Sequence, residues 1–291
     1  MWPALRPSRW LQPWLMLWLF AIPLHTKAVE ITWAVNPAPP FHILEQPLRG
    51  QGICDVLIER VRHYLPEIKH HVQVMPQKRV GLSFAAGTNI CFPCMISKPD
   101  EPRIHFSLPT HIYRPHGVIA SKPVAQAILA RYQAPISLAA LLQDNSLVFG
   151  YPTGRKMGKL QSVIEPYRGA EEGLIDPGLE GPVKLLHLVA AGRLDYSIDY
   201  DIVIRYYNLL KDKELVFIPV AENHQQVVYG AVGCTNNAWG QSVIAQVNLI
   251  LPDLLQDPRY IDNLLYWFDP DEQLQYRQSL QQLQQSLMPE H

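Results

Sequence analysis

The sequence has almost no surplus charge of either sign: 25 lysines and arginines stand against 26 aspartates and glutamates, for a formal net charge of −1. No global field draws in a polyanion, so nucleic acid is not an expected partner. Cysteine is scarce, at four residues, which excludes a disulfide scaffold. No apolar run reaches the roughly 20 residues of a robust membrane span. Glycine (16) is outnumbered by proline (26), and so many stiffened connections disfavour a long bundle or coiled coil. Solenoid repeats are absent. So are a Gly-x-Ser-x-Gly elbow, a His-Glu-x-x-His zinc helix, a P-loop and an obvious pair of catalytic acids. What the chain does have is apolar content, 48% of 291 residues. That is too much for a disordered chain and enough for one large domain or two modest lobes.

The first 28 residues differ from the rest. Arg6 and Arg9 make a basic start, Trp14 to Ile22 is a short apolar run, and Thr26-Lys27-Ala28 places small residues at −3 and −1. This is the layout of a cleavable secretory signal peptide, the alternative being an uncleaved anchor. Cleavage after Ala28 removes Arg6, Arg9 and Lys27 and no acid, moving the formal charge from −1 to −4. The expectation is a soluble, periplasmic mature protein.

Export makes an oxidising environment available to Cys54, Cys91, Cys94 and Cys234. Cys91-Phe92-Pro93-Cys94 has CxxC spacing, with His105, His111 and His116 downstream. A zinc site needs four ligands, and no second CxxC or closely spaced His pair is present. A metal site, a redox-active CxxC and structural bridges remain open, as does the pairing. No metal or cofactor is expected.

Hydrophobic periodicity then reads as two α/β units. Residues 31–35 form a strand stopped by Pro39 and Pro40, which present Phe41 on a stiff loop. Ile53, Val56, Leu57, Val61, Tyr64 and Leu65 follow helical spacing, and Val72 and Val74 alternate as in a half-buried strand. A short helix over 78–86 closes at Gly87. The apolar run 90–96 reads as a buried parallel strand. A second unit has strands at 117–120, 147–150 and 194–199, and helices at 136–142, from about Met157, at 183–191 and at 202–210. Further strands cover 214–220 and 226–232. Two helical faces follow, then a glutamine-rich end whose Tyr276, Leu280, Leu283 and Leu287 predict a docked amphipathic helix.

The order of these pieces is familiar. The relevant stretches are Pro39-Pro40-Phe41, Gly50-Gln51-Gly52, Phe106-Ser107-Leu108-Pro109, Gly192-Arg193-Leu194-Asp195-Tyr196, Tyr229-Gly230-Ala231-Val232 and Leu264-Leu265-Tyr266-Trp267-Phe268. Over residues 30 to 270 the chain resembles the extracytoplasmic solute-binding proteins of family 3, the polar amino acid type that serves ABC transporters. The resemblance implies an α/β, two-lobed periplasmic binding protein type II-like fold. Each lobe would be a mostly parallel sheet flanked by helices, and two crossing strands near 112–121 and 225–232 would join them. Lobe one would comprise 29–116 and 230–291, and lobe two 117–229. Ligand would sit in the cleft, captured by a monomer for a membrane permease or receptor. An orphan ligand sensor is the alternative. A periplasmic dehydratase-like enzyme on the same fold is a further one, since fold alone does not separate binder from catalyst.

Parallel sheets place ligands beyond the carboxyl ends of their strands. The residues there are Phe41, Cys94, Ser97, Thr153, Gly154, Arg155, Asp199 and Tyr200. Thr153-Gly154-Arg155 stands between a strand and a helix, where free N–H groups and a guanidinium suit a carboxylate; a plain helix cap is the bland reading. The resemblance gives Arg103 a carboxylate-gripping role. The loop is short, however, with Arg103 only three residues before Phe106, and a surface arginine is the competing reading. Asp199 or Asp201 suits a ligand ammonium. Phe41, Trp33 and Tyr151 are candidates to sandwich an apolar portion, although Trp33 lies within a strand and has the core as its other destination.

Overall fold

A computed structural model describes residues 30–98, 100–151, 157–167, 181–211 and 214–287. The expected leader over 1–28 lies outside them, as do Thr153, Gly154 and Arg155. The elements of the first lobe begin with β1 (Glu30–Val35), α1 (Ile53–Tyr64), β2 (Lys69–Val74), α2 (Gln77–Ala85), β3 (Cys91–Ile96), β4 (Ile104–Phe106) and β5 (His111–Tyr113). The second lobe holds β6 (Gly117–Ser121), α3 (Lys122–Arg131), α4 (Leu138–Leu142), β7 (Phe149–Gly150), α5 (Gln161–Ile164), α6 (Gly181–Ala190), β8 (Tyr196–Asp199), α7 (Asp201–Leu210) and β9 (Leu215–Ile218). The chain then returns through β10 (Val228–Thr235) to α8 (Ala238–Leu254), α9 (Pro258–Tyr266) and α10 (Pro270–Leu287).

Two separate sheets result. The first runs β2-β1-β3-β10-β4, with β5 also paired to β10, and the second runs β7-β8-β6-β9. Both are mixed rather than mostly parallel. Among the described strands β1–β2, β1–β3 and β7–β8 are parallel, while β10 opposes β3, β4 and β5, and β6 opposes β8 and β9. The reason is the double crossing. A strand that enters a sheet from the other lobe arrives pointing against the strands laid down by local strand–helix–strand turns, and it lands in mid-sheet.

Local burial explains the elements. In α1, Ile53, Val56, Leu57 and Val61 line one buried face, and each such side chain contributes roughly 1.5–3 kcal/mol when fully removed from water. Gly87, at φ +72°, turns the chain out of α2 in the left-handed region. Val72 and Val74 are 48% and 53% exposed, more open than the alternation predicts, because β2 is the sheet's edge and pairs with β1 alone. The strand at 147–150 shortens to Phe149–Gly150. The terminal α10 docks as its periodicity predicts: Tyr276, Leu280 and Leu283 are buried, Tyr276 Oη donates to the Ile112 carbonyl at 2.7 Å, and its ring stacks on Phe268.

The cysteines form two bridges, Cys54–Cys94 and Cys91–Cys234. The CxxC pair therefore splits, each member going to a different partner. Cys91 and Cys234 sit directly opposite each other on β3 and β10. Cys54 lies in the first turn of α1, and its bridge pins that helix to the second half of β3.

Candidate functional site

The loop before α1 is held by one carboxylate. Asp55 accepts the N–H groups of Ile43 (2.9 Å) and Gly52 (3.2 Å) on Oδ2, and its Oδ1 bonds to buried His42 Nδ1 at 2.8 Å. The Phe41 carbonyl accepts from the Cys54 N–H at 2.9 Å. It lies so close to Gly52 that a Cβ there would collide with it, so glycine is required by approach distance. Phe41 is thereby fixed with its ring toward the second lobe. The Cys54–Cys94 bridge ties this loop to the end of β3, where the Ser97 N–H donates to the Tyr229 carbonyl at 2.9 Å.

From the second lobe, Tyr200 follows β8 and caps α7. Its ring stacks on Tyr113 (5.0 Å, 28°) and His116 (3.9 Å, 29°) and meets Phe41 edge-on at 5.7 Å. All four side chains are buried. Asp199 is buried too, with Oδ1 accepting the Tyr200 N–H at 2.7 Å. Here the lobes touch through packed aromatic rings, each worth about 0.5–1.5 kcal/mol per pair beyond its buried area.

Behind this contact the two crossings are tied together. Asn223 Nδ2 donates to the His116 carbonyl at 2.9 Å. Arg114, on the first crossing, pairs with Asp201 at the start of α7 (2.9 Å) and with Glu272 in the first turn of α10. Burial pushes the Asp201 carboxyl up to about 6, Glu272 adds to the rise, and Arg114 opposes it. Nearby His111 is enclosed, bonded to Thr110 Oγ1 at 2.8 Å, and burial drives it down to about 3. It is neutral at any ordinary pH.

In front of the hinge lies a groove of about 890 Å³ with walls from both lobes: Ser97, Glu101 and His105 on lobe one, Gly158 and Lys159 on lobe two, and Tyr229 on the returning strand. Hydroxyl, ammonium, carboxylate and imidazole groups are all within its lining, so it can recognise a polar solute by charge and hydrogen bonding. Among the described residues no cluster of three or more His, Cys, Asp or Glu side chains could hold a metal ion.

The expected site residues thus scatter. Phe41, Asp199 and Tyr200 come together at the inter-lobe contact, and Ser97 reaches the groove. Cys94 contributes no free sulfur, being bridged. Arg103 does not line the groove: it is 59% exposed and its Nε donates to Glu101 at 2.7 Å, a bond that holds the Glu101 carboxyl below its usual range. The shortened loop leaves it at the rim. Tyr151 is buried in the lobe-two core, its hydroxyl 3.4 Å from Gln161 Oε1. Trp33 takes the core option, donating to His70 Nδ1 at 3.0 Å. Tyr113, Arg114 and Asn223 were not singled out by sequence, and His116 only as one of the histidines downstream of the CxxC pair. The signal available was their place in the crossings, which must border any cleft between lobes.

No protein-family model matches the chain, and no curated protein matches it in sequence. Solved structures do match in fold. A histidine kinase sensor domain similar to periplasmic binding proteins is 15% identical over 83% of this chain and 96% of its own, with a TM-score of 0.59. An amino acid ABC transporter substrate-binding protein from Streptococcus pneumoniae, bound to L-arginine, is 17% identical over 88% and 94%, also at 0.59. An ancestral amino acid-binding protein, described as a precursor of cyclohexadienyl dehydratase, is 14% identical over 83% and 96%, at 0.60. The sheets, the double crossing and these matches together establish that the chain has the two-lobed α/β fold of the periplasmic binding proteins.

Proposed function

We propose that this chain is an exported solute-binding protein that captures a small polar, amino-acid-like solute between its lobes, without transforming it, for an ABC transporter. The observation that carries this reading is the groove of about 890 Å³ whose polar walls come from both lobes. A ligand that touches both walls favours the closed arrangement, and only such differential affinity shifts a hinge equilibrium. Binding of L-arginine by the fold relative from Streptococcus pneumoniae supports the solute class. In this reading the leader is removed after Ala28, the mature protein is a periplasmic monomer, lobe one comprises 29–116 and 230–291, and lobe two comprises 117–229. Arg155, Thr153 and Gly154 take the ligand carboxylate, while Asp199, Phe41 and Tyr200, which do not line the groove, close the contact behind it.

The kinship in fold to a histidine kinase sensor domain favours a second reading, in which the loaded protein is presented to a membrane receptor. The test is a melting-temperature screen of amino acids, small carboxylates and short peptides, followed by turnover assays on every hit. At about 100 times its dissociation constant a ligand adds roughly 2.7 kcal/mol of stability. Arg155→Ala should lose most of that shift. The proposal fails if no such solute raises the melting point, or if a hit is consumed.

A further inference from the structure

We propose that the groove takes a short peptide, laid in extended form as an extra strand along the free edge of β4, in preference to a free amino acid. This rests on the solute-binding reading and narrows its ligand class. The first reason is where space is found. The contact beside Phe41 is closed by the protein's own rings, with Phe41, Tyr113, His116 and Tyr200 all buried. A groove lies beside it, along β4 and β10. At about 890 Å³ it stands near the top of the roughly 300–1,000 Å³ range of small-molecule pockets.

The second reason is the backbone. β4 ends its sheet, with no strand beyond it among the described residues. The Arg103 carbonyl accepts from Asn236 and the Ser107 N–H donates to Val232, at 2.9 and 2.8 Å. His105 stands opposite Cys234 between them. These three residues turn their backbone groups toward β10. By the two-residue alternation of a strand, Ile104 and Phe106 turn theirs outward. The Ile104 N–H is taken by the Glu101 carbonyl at 3.3 Å. Among the described residues that leaves the Ile104 carbonyl and both Phe106 groups as the edge on offer, and both residues line the groove. An edge of this kind is a template for strand addition. Three residues of strand span roughly 10 Å, the length of a tripeptide.

The lining suits such an occupant. Leu108, Val227 and Tyr229 border the groove at 45%, 57% and 42% exposure, an apolar patch that peptide side chains would cover. The rim carries both signs, Lys98 and Asp100 from lobe one and Lys159 from lobe two, which complements the two charged ends of an unblocked peptide.

The test uses trialanine, Ala-Leu-Ala, the same peptides N-methylated at the central residue, and the 20 free amino acids, each titrated into the purified protein by calorimetry. The expected result is binding of the unmodified tripeptides, at least about tenfold weaker binding after N-methylation, since the edge bonds are lost, and weaker binding by Lys159→Ala. N-methylation acts on the ligand alone, so no folding defect can mimic it. Binding of free amino acids without tripeptides, or equal affinity for the N-methylated peptides, overturns this inference and leaves the solute-binding proposal standing. Failure of every peptide and every amino acid overturns both.

Discussion

Removing the Cys54–Cys94 bridge by a Cys54→Ala/Cys94→Ala double substitution perturbs one covalent link and leaves the other intact. The bridge closes a loop of 40 residues that contains most of α1, all of β2 and α2, and most of β3. The chain-entropy relation gives a stabilisation of about 4 kcal/mol for a loop of that length. Against a typical total of about 5–15 kcal/mol this is a large fraction. For a chain of this size it corresponds to a fall in melting temperature of roughly 7 °C. The 143-residue separation of Cys91 and Cys234 gives about 5 kcal/mol by the same relation, so reduction of both bridges should cost more than the double variant. The assay is urea unfolding followed by tryptophan fluorescence, on wild type, variant and reduced wild type. Thiol titration of the denatured, unreduced protein should find no free cysteine. Because the bridge also fixes the Phe41 loop to the wall beyond β3, the variant should bind solute more weakly than its lost stability alone requires. A loss under about 1 kcal/mol, or two titratable thiols in the wild type, would refute the pairing or the entropy argument.

Asp201 and His111 make opposing contributions to pH dependence. Asp201 rises from 3.8 to about 6 in the fold, so the native state holds its proton more tightly, and stability falls as pH rises between those values by about 1.4 kcal/mol per unit. His111 falls from 6.5 to about 3, so the unfolded state takes up its proton first, and stability falls as pH drops through that window. The two nearly cancel between pH 4 and 6. Asp201→Asn should therefore be more stable than wild type by as much as about 3 kcal/mol at pH 7, converge with it below pH 4, and lose stability steeply on acidification, all readable from urea midpoints against pH. Tyr200→Ala opens the aromatic contact between lobes and should destabilise by about 3–5 kcal/mol, in line with large-to-small aromatic truncations, with thermal unfolding separating into two transitions if the lobes uncouple. Gly230→Ala places a methyl on the buried His111 ring and should cost about 1–3 kcal/mol by overpacking, whereas Gly81→Ala, in open space within α2, should gain about 0.5–1 kcal/mol.

The sequence by itself determined what local burial determines. Helical spacing of Ile53, Val56, Leu57 and Val61 fixed α1, and the four- and three-residue steps of Tyr276, Leu280 and Leu283 fixed a docked last helix. Breakers at Pro39-Pro40 and Gly87 bounded the first strand and α2, and the order of strands and helices implied two α/β lobes. Tertiary structure alone decided which cysteines pair, because Cys91 meets Cys234 only once β10 has returned beside β3. It decided that both sheets are mixed, since strand direction depends on which lobe the chain has come from. It placed Arg103 at an exposed rim, and it assembled Arg114, Asp201 and Glu272 from three distant segments into one cluster at the hinge. Periodicity records whether a residue is buried against its own element's neighbours. Which partner it meets across a hundred residues depends on the path of the chain, and no local pattern encodes that path.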